Sequence, residues 1–250
     1  ALKPFTRYRA ELTAGDDAGE SARASLEFGT GRLDTPWAGQ WISDGAYSFT
    51  EKKVSPVPMT FRKTFALRGA VKEAKIRATA MGVYQLTLNG APVGNEYFAP
   101  GFTSYKTNLQ YQTYDVTGCL RADNTLTAVV AGGWAVGSFV FTRKNRVTAD
   151  RQALLLELRV TYKDGTEEII GTDPSWQVTE EGPLREADLY DGEVYDATAE
   201  TGGWRNAAVE KLRVSPAIRA SYGPAVTAHE EFSPISCTRV GNCLVYDFGQ

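Results

Sequence analysis

The chain has 250 residues, 42% of them hydrophobic and 23% charged, a balance ordinary for a globular protein that can bury a core in one or two domains. A net charge of −3 argues against the clustered basic surface of a nucleic-acid binder. No run of ~18 apolar residues is available for a helical membrane span, and the opening ALKPFTRYRAEL has no apolar stretch of the signal-peptide kind.

In chain order, residues 8–31 (YRAELTAGDDAGESARASLEFGTG) have strand–loop–strand character but are too short to close a core of their own. TPWAGQWI (35–42) reads as a loop entering a new unit, with Trp37 and Trp41 packing at the junction. Strict period-two alternation follows. Ile76, Ala78 and Ala80 alternate with Lys75, Arg77 and Thr79, and the same parity continues through Tyr84, Leu86 and Leu88. Asn89-Gly90 then predicts a two-residue hairpin turn, because both positions accept positive φ cheaply.

TLTAVV (125–130) and SFVFT (138–142) are predicted strands. Leu154, Leu156, Leu158, Val160 and Tyr162 alternate with Glu157, Arg159 and Thr161, and KDG followed by TEEII makes a second hairpin. SWQVT (175–179) and CLVYDFG (243–249) complete the set. The 24 glycines and 11 prolines punctuate these runs at intervals typical of a sandwich. No amphipathic helix longer than two turns is expected. The pattern predicts an all-β, antiparallel, jelly-roll-like β-sandwich over residues 36–205. Partial β-domains flank it, at 1–35 and at 206–250, and the chain reads as a fragment of something longer.

Most familiar chemistry is missing from the sequence. The single histidine, His229, sits in TAHEEF without a nucleophile turn and reads as a surface residue. One histidine and the scattered Cys119, Cys237 and Cys243 do not make a zinc set. CTRVGNC places Cys237 and Cys243 where they can face each other across a hairpin, but they read first as two small buried strand residues. FGTG lacks the continuation of a phosphate loop, and no Asn-x-Ser/Thr glycosylation site occurs.

The candidate for chemistry is DLYDGEVYDA (188–197), with Asp188, Asp191, Glu193 and Asp196 in ten residues. In an extended segment Asp191 and Glu193 share one face and Asp188 and Asp196 the other. Same-face neighbours ~6–7 Å apart suit a glycosidase pair. Such acids also suit a metal site, or an irregular crossover in which they accept backbone N–H bonds. The Asp-x-Asp-x-Asp-Gly calcium loop is not what is written.

The stretch NGAPVGNEYFAPGFTSYKTNLQYQTYDVT (89–117) resembles the N-terminal β-sandwich of bacterial α-L-rhamnosidases, glycoside hydrolase family 78. The resemblance continues in GGWAVG (132–137), DLYDGEVYDA, GGW (202–204) and VYDFGQ (245–250). LEFGTGRLDTPWAGQWI (26–42) is similar to the junction with a preceding fibronectin-like domain.

The resemblance implies an inverting rhamnosidase as parent, with an (α/α)₆ catalytic domain C-terminal to DFGQ in the same chain. The four acids are then not the catalytic pair but structural or domain-docking residues, and the sandwich alone is inactive. Some members carry this sandwich as a family 67 carbohydrate-binding module that holds L-rhamnose through calcium. By resemblance the metal ligands would be Asn95, Glu96 and the backbone carbonyl of Gln152, with Tyr97 and Trp134 covering the sugar. Here the order Asn-Glu departs from the Asp-Asn of calcium-binding members, and RQALL lacks their proline. Read without the resemblance, Trp134 packs between close backbones and FAPGFTSY fixes a loop by turn geometry. The partners expected are thus a rhamnose-containing glycan and the catalytic domain. The other role open to the sandwich is a spacer that positions that domain.

Overall fold

A computed structural model describes residues 1–45, 55–139 and 144–249 of the chain. Its regular structure is almost entirely strand, as the alternation predicts. The chain opens with β1 (Arg7–Gly15) and β2 (Ser21–Gly29), which pair with each other. The sandwich follows as β3 (Ile42–Ser43), β4 (Met59–Ala66), β5 (Val71–Met81), β6 (Val83–Leu88), β7 (Ala91–Pro92), β8 (Asn108–Asp115) and β9 (Asp123–Ala131). A four-residue helical turn, α1 (Gly133–Val136), leads to β10 (Ala153–Tyr162), β11 (Glu167–Gly171) and β12 (Gln177–Thr179). β13 (Leu184–Asp188) and β14 (Gly192–Tyr195) form a hairpin outside the two large sheets. Short strands β15 (Arg205–Asn206), β16 (Ala208–Val209) and β17 (Ala217–Ala220) rejoin those sheets, and β18 (Ser236–Val240) pairs with β19 (Cys243–Asp247).

One sheet has seven strands in the order β16-β3-β10-β5-β8-β17, with β11 also on β10; the other has six, in the order β15-β12-β4-β9-β6-β7. Their facing residues make one core. Ile76, Ala78, Leu154, Leu156 and Leu158 come from the first sheet, and Phe61, Tyr84, Leu86, Leu126 and Val178 from the second. Full burial of each large apolar side chain contributes about 1.5–3 kcal/mol. The continuous parity from Ile76 to Leu88 has a simple origin. β5 lies in one sheet and β6 in the other, and the chain crosses between them at Gly82, where φ is 138°. A Cβ at Gly82 would lie 2.1 Å from the Ala131 carbonyl oxygen, so glycine is required there.

The Asn89-Gly90 turn forms as predicted, with φ of 55° and 83° and Leu88 opposite Ala91. β10 and β11 form the second hairpin, Thr161 opposite Glu167. ALLLEL (153–158) opens β10, with Arg151 and Gln152 just before the strand. The sheets run past residue 205, since β16 pairs with β3, and β17 adds to β8 in parallel. That parallel pair departs from the antiparallel rule; it is possible because about a hundred residues separate the two strands, enough for any crossover. Of SFVFT, residues 140–142 lie outside the described part, and Phe139 makes an isolated bridge to Lys144.

CTRVGNC folds as the expected hairpin, but the register pairs Cys237 with Tyr246 and Cys243 with Val240. The two thiols are therefore not opposite one another. Both are free and exposed, contrary to the buried-strand expectation, because this hairpin packs into neither core cluster.

Candidate functional site

The site is built around the loop that follows β7. Pro92 ends the short strand, and the backbone turns through Asn95, Glu96 and Tyr97 before Ala99 rejoins the core. The Ala99 carbonyl accepts the Tyr84 N–H at 2.8 Å, and the Gly101 N–H closes a turn onto Phe98 O at 2.9 Å. Below the loop the Tyr84 hydroxyl lies 2.8 Å from Gln112 Oε1 and 3.1 Å from the Tyr114 hydroxyl; Gln112 Nε2 donates to Pro100 O at 3.1 Å. From the other side, the Tyr97 N–H donates to Val226 O at 2.8 Å, which folds residues 221–226 over as a second wall.

The result is a cleft of about 410 Å³ bounded by Glu96, Tyr97, Phe98, Phe102, Trp134 and Gln112. Trp134 reaches it from α1, whose preceding strand β9 is central in its sheet. Its ring meets Phe98 at 6.2 Å and Phe102 at 5.5 Å between centroids. The aromatic contacts continue outward, Phe102 to Phe139 at 6.0 Å and Phe139 to Tyr190 at 6.5 Å. Tyr97, Phe98 and Phe102 are each about half exposed. The polar side chains of the lining are few, Glu96, Gln110, Gln112 and Ser221 among aromatic and apolar residues, as in a small-molecule pocket.

Burial raises the Glu96 carboxyl above its ordinary value. The Tyr84 and Tyr114 hydroxyls are raised as well, first by burial, with the charge of Glu96 adding to it; Tyr114 reaches about 12. Both phenols therefore hold their protons at neutral pH.

The structure brings Glu96, Tyr97 and Trp134 to one cleft. Asn95 does not line that cleft; it is exposed along an adjacent hollow that it shares with Glu96, Tyr97, Tyr84 and Tyr114. Gln152 is placed elsewhere. It is fully buried, its carbonyl accepts the Ser43 hydroxyl at 2.8 Å and its Nε2 donates to Val57 O at 2.9 Å. Among the described residues no three of His, Cys, Asp and Glu cluster as a metal cage would.

The acidic stretch is a tight hairpin and not a single extended segment. Leu189, Tyr190 and Asp191 form the turn of the β13–β14 hairpin, Asp188 opposite Gly192. Asp188 and Asp191 therefore converge instead of taking opposite faces. Asp188 accepts from the Ser55 hydroxyl, from the Ser138 N–H at 2.7 Å, and from the N–H groups of Tyr190 and Asp191 at 2.9 and 3.2 Å. The Ser138 hydroxyl donates to Asp191 at 2.5 Å. Gly137 passes so close that a Cβ there would lie 2.6 Å from the Asp188 carboxylate. Asp196 accepts the N–H and hydroxyl of Thr198, which lower its pKa. Glu193 stands exposed opposite Ala187.

Phe98, Phe102 and Gln112 carry no local signal of a site: FAPGF marks a turn, and only the folded loop sets its two phenylalanines against Trp134. The wall at 221–226 carries no local signal at all.

Comparison with known proteins agrees with the architecture. Residues 69–239 match the family described as the alpha-L-rhamnosidase N-terminal domain. An alpha-L-rhamnosidase of Streptomyces avermitilis is 46% identical over 135 residues, 54% of this chain and 13% of that protein. One from Alteromonas sp. (strain LOR) is 32% identical over 86% of this chain and 25% of its own length. The solved alpha-L-rhamnosidase from Dictyoglumus thermophilum superposes with a TM-score of 0.86 at 25% identity, over 100% of this chain and 30% of that one. The chain thus spans less than a third of each of these relatives. With more than half of its length matched, in a fold shared throughout, the chain belongs to the alpha-L-rhamnosidase N-terminal domain family.

Proposed function

We propose that this sandwich is the carbohydrate-binding part of an α-L-rhamnosidase, taking a terminal L-rhamnose of a plant or bacterial glycan into the cleft between Tyr97 and Trp134. The observation that carries the reading is the cleft itself, whose volume of about 410 Å³ suits a monosaccharide with room for its linkage. The 6-deoxy end of rhamnose offers an apolar face to Trp134 and Phe102, while the Glu96 carboxylate is placed to receive hydroxyl groups. Hydrolysis, in this reading, belongs to an (α/α)₆ domain of the same parent chain, and the sandwich alone leaves an aryl rhamnoside intact.

Calcium enters as part of this proposal through Glu96 and Asn95. Glu96 is a half-buried carboxylate raised by burial, the kind of acceptor a cation completes. Two side chains fall short of the six to eight oxygens that calcium takes, so sugar hydroxyls and water would have to supply the remainder. Gln152 has no place in such a set, its carbonyl being committed to Ser43.

Calorimetric titration with L-rhamnose, with calcium and then with excess EDTA, tests both parts. Saturable heat that Trp134→Ala abolishes supports the cleft, and its loss in EDTA supports the metal. No heat at millimolar sugar in either cell would sink the proposal. That result would favour a spacer holding the catalytic domain, a reading supported by the apolar surface of the last hairpin, where Phe232, Ile235, Leu244, Tyr246 and Phe248 are all at least half exposed.

A further inference from the structure

A second cavity, of about 70 Å³, shares no lining residue with the aromatic cleft and lies between the base of the β1–β2 hairpin and the outer face of the seven-stranded sheet. Arg7, Lys75, Arg77 and Arg159 line it, with Thr6 and Thr30 from the hairpin side. Its carboxylates are Glu73 and Glu167. Glu73 already holds Lys75 at 2.6 Å and Arg7 at 3.2 Å, and Glu167 lies 3.8 Å from Arg159.

Beneath these is Glu157, fully buried, which pairs with Arg32, accepts the Ala38 N–H at 3.2 Å and lies 3.6 Å from Arg159. Across this layer five cations (Arg7, Arg32, Lys75, Arg77, Arg159) face three carboxylates (Glu73, Glu157, Glu167).

Arg77 is where the imbalance falls. It is 4% exposed, and its Nε and Nη1 are buried with no hydrogen-bond acceptor. The Phe5 ring lies 4.5 Å from its guanidinium and 4.1 Å from that of Arg159; a ring face attracts both charges but replaces no oxygen acceptor. Burial lowers the pKa of Arg77, opposed by the charge of Glu157, yet a guanidinium in a protein stays protonated. Leaving two nitrogens of a buried cation without an acceptor is costly to a fold.

We propose that this cavity binds a small inorganic oxyanion of the phosphate or sulfate class, held by Arg77 and Arg159 on the sheet and by Arg7 at the hairpin. Planar guanidinium groups match the oxygen spacing of such anions. A cavity of about 70 Å³ is far below the roughly 300 Å³ and more of pockets that take larger organic ligands. The anion would bridge the N-terminal hairpin to the sandwich and stabilise that junction.

The test uses the 250-residue chain in low-salt buffer, titrated with sodium phosphate and separately with sodium chloride at matched ionic strength. Thermal unfolding and the ³¹P line width are followed together. Expected are a saturable rise in Tm, about 5 °C or more at a hundredfold excess over Kd, and ³¹P broadening, both lost in Arg77→Met. Should that variant fail to fold, Arg7→Ala, at an exposed position, is expected to weaken the phosphate midpoint at least severalfold. A linear, unsaturable rise shared by the parent and the variant, without broadening, would mean that the cavity holds only water and overturns the proposal. Equal saturation by chloride overturns the oxyanion assignment.

Discussion

Replacing Asp188 by alanine separates a carboxylate that holds the fold together from one that serves chemistry. Asp188 receives four donors, but they are not equal. The N–H groups of Tyr190 and Asp191 belong to an exposed turn that water can serve, whereas Ser55 and Ser138 reach it from part-buried positions. Hydrogen bonds to a charged acceptor contribute about 1.5–3 kcal/mol each. Ser138 keeps its second tie, to Asp191, so the two inner bonds do not add fully. A net loss of about 2–4 kcal/mol follows, which in a domain of this size lowers Tm by about 5–12 °C. Asp196→Ala is the internal control: its acid is exposed and serves its own turn, and the urea midpoint is expected to stay close to that of the parent. Urea unfolding followed by tryptophan fluorescence reads both. If Asp188→Ala unfolds at the same midpoint as Asp196→Ala, the anchoring role is refuted, and a ligand or docking role for the hairpin regains its place.

Three further expectations are as concrete. Gly82→Ala forces a Cβ onto the Ala131 carbonyl at a positive φ and should cost at least about 3 kcal/mol, read from the same urea midpoints; a cost under 1 kcal/mol would mean that the sheet crossing is looser than described. Because burial raises Glu96 above 4.5, the folded chain holds its proton more tightly than the unfolded one, and stability falls as pH rises through that window. Glu96→Gln should therefore raise Tm relative to the parent more at pH 7 than at pH 4 in EDTA; the opposite sign would show that the carboxylate already has a favourable partner. Finally, Cys119, Cys237 and Cys243 are free and exposed, so an aromatic-disulfide thiol assay without denaturant should count three. A count of one would mean that Cys237 and Cys243 are bridged after all.

The fold class was legible because a half-buried strand writes its two faces into alternate residues. Leu154 to Tyr162 announce β10, and Asn89-Gly90 announces the turn after β6, since the physics involved is local. The alternation shows which face each residue takes but not what covers that face. Arg77 and Glu157 stand on the outward, polar face of the strands, yet are buried because residues 5 to 38 fold over them. Nothing in the strand itself records that cover. The acidic stretch shows the same division: its composition was plain, but convergence of Asp188 and Asp191 on Ser138 depends on a turn and on a neighbour fifty residues away. In the cleft, Glu96, Tyr97 and Trp134 were identifiable as candidates, while Phe102, Gln112 and the wall at Val226 were not. By itself the sequence determined which side of each strand is apolar and where the chain turns, because those depend on neighbours within a few residues. Only the tertiary structure decided which polar groups are buried, which aromatic rings share a cleft and which cation lacks an acceptor. Those outcomes depend on segments distant in sequence arriving at the same place.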